Sequence, residues 1–419
     1  MISKFYNKHK LSVGNLIWRV IQIFFKQGMQ YIVLLYFARV LAPTEFGKYN
    51  YAISILLLLV TFSDFGISAA VSKFTSEYSV KNKELEKHLF FNSFVILTFF
   101  SIIIIIISFF LYLYLPLRDN QLLIVYLIPS VFFAPITSLL DGIYRGRKDF
   151  KKLSIINVFC GIIYFILSFF LVKMHGIIGA LISYNFLFIL LSIFLFFGLK
   201  SIEIKINMKL IKKIFSYSIY IGLSTIGYFL YTKVDIIVLE MFGYVNEIGF
   251  YEIVNQTFLI LLVPFILYSQ ILAPNITINV ASSDQKIVLI KLKRNLLWFI
   301  PLSVILTLFL YLSAPHVINL ILKDYYTPEM LITLNILLLV LPAKIIGVVL
   351  SQSFILSTGY ARYTTYGTLI GGFLNLIFDF IFIKLFGYVG VFYSTVVIHT
   401  ATITFTSILF YRKIKHVYI

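Results

Sequence analysis

Residues 13–37 read VGNLIWRVIQIFFKQGMQYIVLLYF, an apolar stretch long enough for a membrane-spanning helix that nevertheless carries charged and amide side chains. On a helix that turns about 100° per residue, these polar positions fall within roughly 80° of one another. They are Asn15, Arg19, Gln22, Lys26 and Gln30. Because such a stripe is unfavourable against lipid, it predicts that this helix borders protein or a water-filled cavity.

The composition of the whole chain is that of an integral membrane protein. Of its 419 residues, 60% are hydrophobic and only 12% are charged, whereas soluble domains contain about 25% charged residues. Apolar runs of about 18 residues or more, enough to cross ~30 Å of hydrocarbon, recur along the full length. The single cysteine, Cys160, lies inside such a run, which excludes an internal disulfide and indicates a small buried side chain.

We predict an all-α membrane protein with about twelve spans and no soluble domain. The spans are placed at about residues 13–37, 50–70, 89–115, 121–141, 154–173, 176–198, 214–238, 249–273, 295–313, 329–350, 364–384 and 388–411. The first span is too long for the apolar region of a secretory signal and lacks a small-residue cleavage site. It is therefore predicted to be retained.

Lysine and arginine are concentrated in alternate loops. Basic clusters such as 145–152 and 200–213 lie in even-numbered loops, whereas each odd-numbered loop holds at most two basic residues. The positive-inside rule then places both termini and the even loops in the cytoplasm. This asymmetry accounts for most of the net charge of +18, so the charge does not predict a nucleic-acid partner.

Three motifs of the first half recur in the second. Residues 45–49 (EFGKY) recur as 247–251 (EIGFY), the spacing of Pro129 and Gly146 recurs in Pro342 and Gly359, and 173–179 (KMHGIIG) recurs as 384–390 (KLFGYVG). The displacements agree within one loop, which predicts an internal duplication. Two six-span lobes, residues 1–205 and 206–419, would share one orientation and be related by a pseudo-two-fold axis along the membrane normal, with a substrate site between them.

Cationic side chains inside the spans are the main indication of function, because each costs ~2.5–3.5 kcal/mol at a helix centre. Lys26 lies near the middle of the first span and is predicted to face the cavity. Arg19 is shallower, so it either lines the cavity or extends to the lipid head groups. Lys344 follows Pro342, a predicted kink, and Lys233 closes the seventh span; both are candidate cavity cations.

Acidic residues occur in other spans. Lys233 and Asp235 are two residues apart and do not face each other on a helix, so Asp235 is predicted to pair with another helix, either structurally or as a coupling site. Asp64 and Asp379 are further candidates for coupling or ion pairing, and Asn375 shares the face of Asp379.

Three further assignments concern polar residues near the span ends and in the last spans. His399 is interpreted as a helix–helix hydrogen-bonding residue or a proton relay, and Asp141 as a partner of the basic loop that follows it. Span seven presents hydroxyls on the face that corresponds to the polar stripe, namely Ser224, Tyr228 and Thr232. A cavity lined by cations, the amides Gln22 and Gln30, and hydroxyls suits an anionic, sugar-bearing substrate.

No enzyme motif competes with a transport function. The chain has no Gly-Lys-Ser/Thr phosphate loop, no metal-ligand spacing and no nucleophile elbow, so neither a catalytic residue nor a cofactor nor a metal is predicted. A membrane glycosyltransferase or polymerase is a less favoured alternative, since the predicted external loops are too short to hold its catalytic acids.

Five segments carry a resemblance to a known family. They are residues 38–49 (ARVLAPTEFGKY), 62–68 (FSDFGIS), 142–150 (GIYRGRKDF), 235–251 and 384–390. In them the chain resembles the polysaccharide-transport branch of the multidrug/oligosaccharidyl-lipid/polysaccharide exporter superfamily, the lipid-linked oligosaccharide flippases of bacterial O-antigen pathways. Asp379 departs from the family, whose members often carry Asn there.

The resemblance implies a V-shaped pair of six-helix lobes that alternates between inward-open and outward-open states in the bacterial inner membrane. It implies undecaprenyl-diphosphate-linked oligosaccharide as the substrate, with membrane lipids and other polysaccharide-assembly membrane proteins as partners. A cation-coupled multidrug or small-solute exporter of the same superfamily is the main alternative, which the cavity cations disfavour. A passive structural role gives no reason to bury Lys26.

Overall fold

The computed structural model describes residues 2–114, 119–199, 202–281 and 285–418, with side chains from Trp18 onward except those of Arg19, Lys26 and residues bordering the gaps or the C-terminus. Every regular element in these ranges is helical. The helices are α1 (Ile2–Val40), α2 (Pro43–Asp64), α3 (Ile67–Lys81), α4 (Lys83–Tyr114), α5 (Asp119–Leu122), α6 (Ile128–Arg147), α7 (Phe150–Phe197), α8 (Met208–Thr232), α9 (Val234–Met241), α10 (Val245–Ala281), α11 (Gln285–Ile321), α12 (Pro328–Leu338), α13 (Leu341–Val349), α14 (Ala361–Phe386) and α15 (Tyr388–Tyr418). Short 3-10 turns (Leu123–Leu127 and Lys323–Tyr325) and a π-helical turn (Leu350–Ile355) lie between them.

Eleven helical stretches in the described part of the chain are long and apolar enough to cross a membrane. One of them, α7, has 48 residues. At ~1.5 Å per residue these correspond to about 72 Å of helix, more than twice the thickness of the hydrocarbon core, so α7 must contain two spans. It holds two of the predicted spans, 154–173 and 176–198. The predicted fold class, an all-α membrane protein with about twelve spans, is therefore confirmed.

The two spans of α7 meet at Gly176, whose backbone (φ 55°, ψ −133°) is one that L-residues rarely adopt. Gly387, between α14 and α15, has nearly the same backbone (φ 66°, ψ −153°). Three residues later in each case the helices touch: a Cβ at Gly179 would lie 2.0 Å from the Leu171 carbonyl oxygen, and one at Gly390 would lie 2.1 Å from that of Phe382. The repeated motifs thus fold into the same hairpin, which supports the duplication.

Packing divides the chain into two compact units, of which unit 1 is Met1–Leu41 and Tyr51–Ile226. In it α1 and α6 pack along α7, and α3 packs on α6. The first part of α8 also belongs here, because the Lys73 ammonium lies 3.8 Å from the Tyr217 ring centroid and Lys213 donates to the Tyr78 hydroxyl at 2.8 Å. Helix α8, which forms the seventh span, begins at Met208, six residues before the predicted start at residue 214.

Unit 2 is Ala42–Asn50 and Gly227–Ile419. In it α14 packs on α15, and α10 packs against α12 and α13. The tenth span breaks between α12 and α13, and Pro342 lies in the first turn of α13, so the predicted kink is confirmed. The packing units differ from the predicted lobes, because residues 42–50 belong to unit 2 and residues 206–226 belong to unit 1. The predicted lobes, residues 1–205 and 206–419, follow the sequence repeat and stay a prediction.

Candidate functional site

The seventh span is interrupted at Lys233, whose backbone (φ −137°, ψ −11°) separates α8 from α9. The predicted continuous span 214–238 is therefore wrong at this point. The interruption places Asp235 in the first turn of α9, where unpaired N–H groups and the helix dipole favour a carboxylate. Asp235 is fully buried, at 0% exposed.

Side chains from three other helices of unit 2 hydrogen-bond the Asp235 carboxylate. The Tyr251 hydroxyl on α10 donates to Oδ2, and the Asn375 amide on α14 donates to Oδ1. The Thr395 hydroxyl on α15 donates to Oδ2 at 3.1 Å. The prediction that Asp235 pairs with other helices rather than with Lys233 is confirmed.

Asp379 lies beside Asp235 and is equally buried. The Ser394 hydroxyl and the Asp235 carboxylate are its polar neighbours, but neither of its carboxylate oxygens makes a hydrogen bond of standard geometry with a residue that the structure describes. Two adjacent carboxylates in a dry interior are unfavourable unless a cation or a proton balances their charge.

We refer to Asp235, Tyr251, Asn375, Asp379 and Thr395 as the acidic core. These side chains supply carboxylate, amide and hydroxyl oxygens, the ligands that hard cations prefer, and a broken membrane helix is a common place for Na⁺ or H⁺ coupling. The arrangement can therefore hold a monovalent cation, or a proton on one carboxyl group.

A second buried pair lies next to the acidic core in sequence. Lys233 Nζ lies 2.7 and 2.9 Å from the two carboxylate oxygens of Glu252, and Gln256 donates to the same carboxylate at 2.6 Å. Glu252 is 4% exposed. Lys233 was predicted as a cavity cation, but in this structure Glu252 balances its charge.

Lys344 and His399 make neutral contacts within unit 2. Lys344 Nζ donates to Asn255 Oδ1 at 3.2 Å and lies 5.6 Å from the Phe258 ring centroid. His399 Nε2 lies 2.9 Å from the Tyr231 carbonyl oxygen, and its ring stacks on the Tyr231 ring at 4.0 Å. The helix–helix hydrogen bond predicted for His399 is confirmed.

In unit 1 the polar stripe of α1 meets α6. Gln22, which is 4% exposed, donates to Asp141 Oδ1 at 3.3 Å, and Arg145 Nε lies 2.8 Å from Asp141 Oδ2. The predicted pairing of Asp141 with the basic loop is confirmed, and Gln22 borders protein as predicted. The side chains of Arg19 and Lys26 lie outside the described residues, so their cavity roles stay predictions.

The remaining candidates have local contacts. Asp64 accepts hydrogen bonds from the backbone N–H of Ser68, at 3.1 Å, and from its hydroxyl, so it stabilises the start of α3. Thr232 donates to the Tyr228 carbonyl oxygen of its own helix at 2.8 Å, while the Tyr228 side chain is exposed and Ser224 is half-buried. Cavity roles for these three residues of α8 stay predictions.

Sequence reasoning missed Tyr251, Glu252, Gln256 and Thr395. Tyr251 closes the repeated motif 247–251, and Glu252 is an acid directly after it within a predicted span, so both carried a signal. Thr395 carried none, because hydroxyl side chains are frequent in the spans and most bond their own helix.

The sequence comparisons point to one family. Residues 12–279 match the profile of the family described as Polysaccharide biosynthesis protein. Among curated proteins, none matches the chain.

Solved structures of MOP-superfamily transporters share the fold. An inward-facing multidrug resistance MATE family transporter has a TM-score of 0.78 at 13% identity, over 93% of this chain and 95% of that chain. The lipid II flippase MurJ, in an inward closed conformation, has a TM-score of 0.75 at 18% identity, over 93% and 86%. A MOP superfamily transporter from Pyrococcus furiosus has a TM-score of 0.66 at 14% identity, over 96% and 95%.

Proposed function

We propose that this chain, which belongs to the polysaccharide biosynthesis protein family, is a lipid flippase. It would move an undecaprenyl-diphosphate-linked oligosaccharide of the O-antigen type from the cytoplasmic to the periplasmic leaflet of the bacterial inner membrane by alternating access. Family membership over residues 12–279 is the observation that carries the polysaccharide assignment. The fold, shared with membrane transporters, supports movement of the substrate rather than sugar transfer.

The charges inside the membrane suit this substrate. A lipid-linked oligosaccharide keeps its tail in the bilayer, so only the diphosphate and the sugars need a polar path. With two negative charges on the head group, outward movement gains about 4.6 kcal/mol per 100 mV of inside-negative potential. Lys26 and Arg19 would supply transient positive charge. Lys344 is the third candidate, because its ammonium is bonded to a neutral amide rather than to a carboxylate.

The acidic core supports a coupling role. Asp235 accepts three hydrogen bonds, whereas the neighbouring Asp379 carboxylate makes none of standard geometry with the described residues. A returning sodium ion or proton would neutralise that group, and its release would restore the unfavourable pair. Cation binding would thereby favour one conformation of unit 2 over another.

A multidrug or small-solute exporter is the alternative, because the chain is as similar in fold to a MATE transporter as to MurJ. The two functions predict different transport. Proteoliposomes containing the purified protein should move a fluorescent undecaprenyl-diphosphate oligosaccharide between leaflets without lengthening its sugar chain, and deletion of the gene should remove the surface polysaccharide.

Drug sensitivity in the deletion strain with normal surface polysaccharide would instead identify an exporter. Elongation of the lipid-linked sugar by the purified protein would identify a polymerase.

A further inference from the structure

Unit 1 contains a cavity of about 290 Å³ between α1, α6 and α7. Its polar lining includes Gln30, Ser138, Asp141, Arg145 and Asn157. This volume lies at the lower end of ligand pockets, which begin near 300 Å³. The cavity therefore suits one small ring and not a long chain.

Among the side chains that the structure describes, the polar lining has no net charge. Arg145 Nε lies 2.8 Å from Asp141 Oδ2, and Gln22 donates to Oδ1 of the same carboxylate at 3.3 Å. The remaining polar groups are amides and hydroxyls. An anion would have to compete with Asp141 for Arg145, and a cation would have to compete with Arg145 for Asp141. A neutral polar ligand keeps the pair intact and can hydrogen-bond both of its partners.

The hydrogen-bonding groups are placed for a ligand that both donates and accepts. Asn157 donates its amide to the Leu153 carbonyl oxygen at 2.7 Å, which orients the side chain and leaves Oδ1 as an acceptor. Gln30 adds an amide from α1, and Ser138 adds a hydroxyl from α6. Vicinal hydroxyl groups both donate and accept, so they can pair with the amides of Gln30 and Asn157 and with the Asp141 carboxylate.

Aromatic rings complete the lining. Phe25 from α1, with Tyr164 and Phe188 from α7, borders the same cavity. Phe25 is 42% exposed and is one of the residues that line the cavity. The apolar C–H face of a pyranose can rest on such rings, whereas water alone does not use them.

We infer that this cavity binds one neutral sugar residue, held by Gln30, Asn157 and the Asp141–Arg145 pair. The inference rests on the proposed function, because it takes the sugar from the carried oligosaccharide. It adds that this cavity of unit 1 binds the sugar and that the diphosphate binds outside the cavity. The cavity, rather than the cationic residues, would then decide which saccharide is accepted.

The chain offers a direct test, because its single cysteine, Cys160, is fully buried. In a Cys160→Ser background, Ser138→Cys places a thiol in the cavity. Ser407→Cys places a control thiol in a groove of unit 2. Both proteins, full-length and in detergent, are labelled with a maleimide in the presence of the neutral repeat unit released from the producing cell's polysaccharide, or of inorganic diphosphate.

The repeat unit should slow labelling at position 138 about tenfold at saturation, leave position 407 unchanged, and lose its effect when Asn157→Leu is added. Diphosphate should protect neither position. Unchanged labelling at 138, or equal protection by diphosphate, overturns the inference. The flippase assay separates the two proposals: protection without lipid movement refutes only the flippase, and lipid movement without protection refutes only the sugar site.

Discussion

The Thr44 hydroxyl donates a hydrogen bond of 2.7 Å to Asn246 Oδ1, and the two residues are 202 positions apart, at the same place in the two copies of the repeat. The repeated segments 45–49 and 247–251 therefore begin side by side within unit 2. Contact is so close that a Cβ on Gly47 would lie 1.9 Å from the Val245 carbonyl oxygen. The repeated glycine is thus a point where one copy rests on the backbone of the other.

Gly47→Ala should destabilise the protein, because the new methyl group meets backbone rather than a flexible side chain. Overpacking of this kind typically costs ~1–3 kcal/mol, measured here as a lower thermal unfolding midpoint in detergent. Gly28→Ala is the matched control: nothing lies within 4 Å of its Cβ position, and alanine favours the helix. Equal midpoints for both variants would contradict the close contact.

The spans and the duplication could be predicted because both depend on local pattern. Hydropathy alone locates apolar runs, and the motif 173–179 requires a backbone at Gly176 that its copy at Gly387 shares. The break at Lys233 could not be predicted in the same way. It has no proline or glycine signal, and a tertiary ion pair with Glu252 accompanies it.

The candidate site was only partly predictable for a related reason. Asp235 and Asp379 were identified because acids in a span are expensive and need a purpose. Helical spacing shows which residues of one helix share a face, and it cannot show which helices meet. Thr395 donates to Asp235 although the two residues are 160 positions apart in the sequence. Its role therefore depends on the packing of α9 against α15, which cannot be predicted from the local sequence pattern of either helix.

Removing Lys233 alone should destabilise the protein strongly, whereas removing the charges of both Lys233 and Glu252 should have a small effect. Lys233→Met leaves Glu252 charged and buried, which typically costs ~3–5 kcal/mol, whereas removing both charges is often close to neutral. Chemical unfolding of K233M and of K233M/E252Q in micelles compares the two. A double variant that is stable but does not flip lipid would support a role of this pair in transport.

Acid should release the segment that joins the two repeats. Glu203 in this segment bonds Lys87 at 2.8 Å and lies 2.9 Å from His88 Nε2, and these contacts hold the pKa of Glu203 below its ordinary value. The stabilisation is therefore present above the ordinary pKa of ~4.3 and is lost as the pH falls through the lower folded value.

Hydrogen exchange of the backbone amides of residues 202–207 measures this release. Once corrected for the intrinsic exchange rate, protection should be constant from neutral pH to about pH 5 and fall below about pH 4. Glu203→Gln should show low protection throughout. Protection that persists in acid would show that the Glu203 charge is not needed to hold this segment on α4. Other hydrogen bonds, such as that from the Asn207 backbone N–H to Asn92 Oδ1 at 2.7 Å, would then be sufficient.

Lys26→Ala should abolish polysaccharide export while leaving the protein in the membrane. A single charge-assisted contact is worth ~1.5–3 kcal/mol, so lipid movement in proteoliposomes should fall about tenfold to a hundredfold. Lys26→Arg should retain part of the rate if only the charge matters. The control is Lys293→Ala, at an exposed position near the start of α11. Normal surface polysaccharide in the Lys26→Ala strain would remove Lys26 from the mechanism.

Asp379→Asn should remove the response of unit 2 to its coupling cation. In the wild type, sodium at 100 times its dissociation constant should stabilise the folded state by ~2.7 kcal/mol, seen as a higher unfolding midpoint. Without sodium, the variant should be more stable than the wild type, because it lacks the unfavourable pair of carboxylates formed by Asp235 and Asp379. It should gain little stability when sodium is added.

Asp64→Asn, which alters hydrogen bonds at the start of α3, should respond to sodium as the wild type does. A wild type that ignores sodium but is stabilised by mild acid would identify the proton as the coupling ion, and a full sodium response in Asp379→Asn would exclude the acidic core.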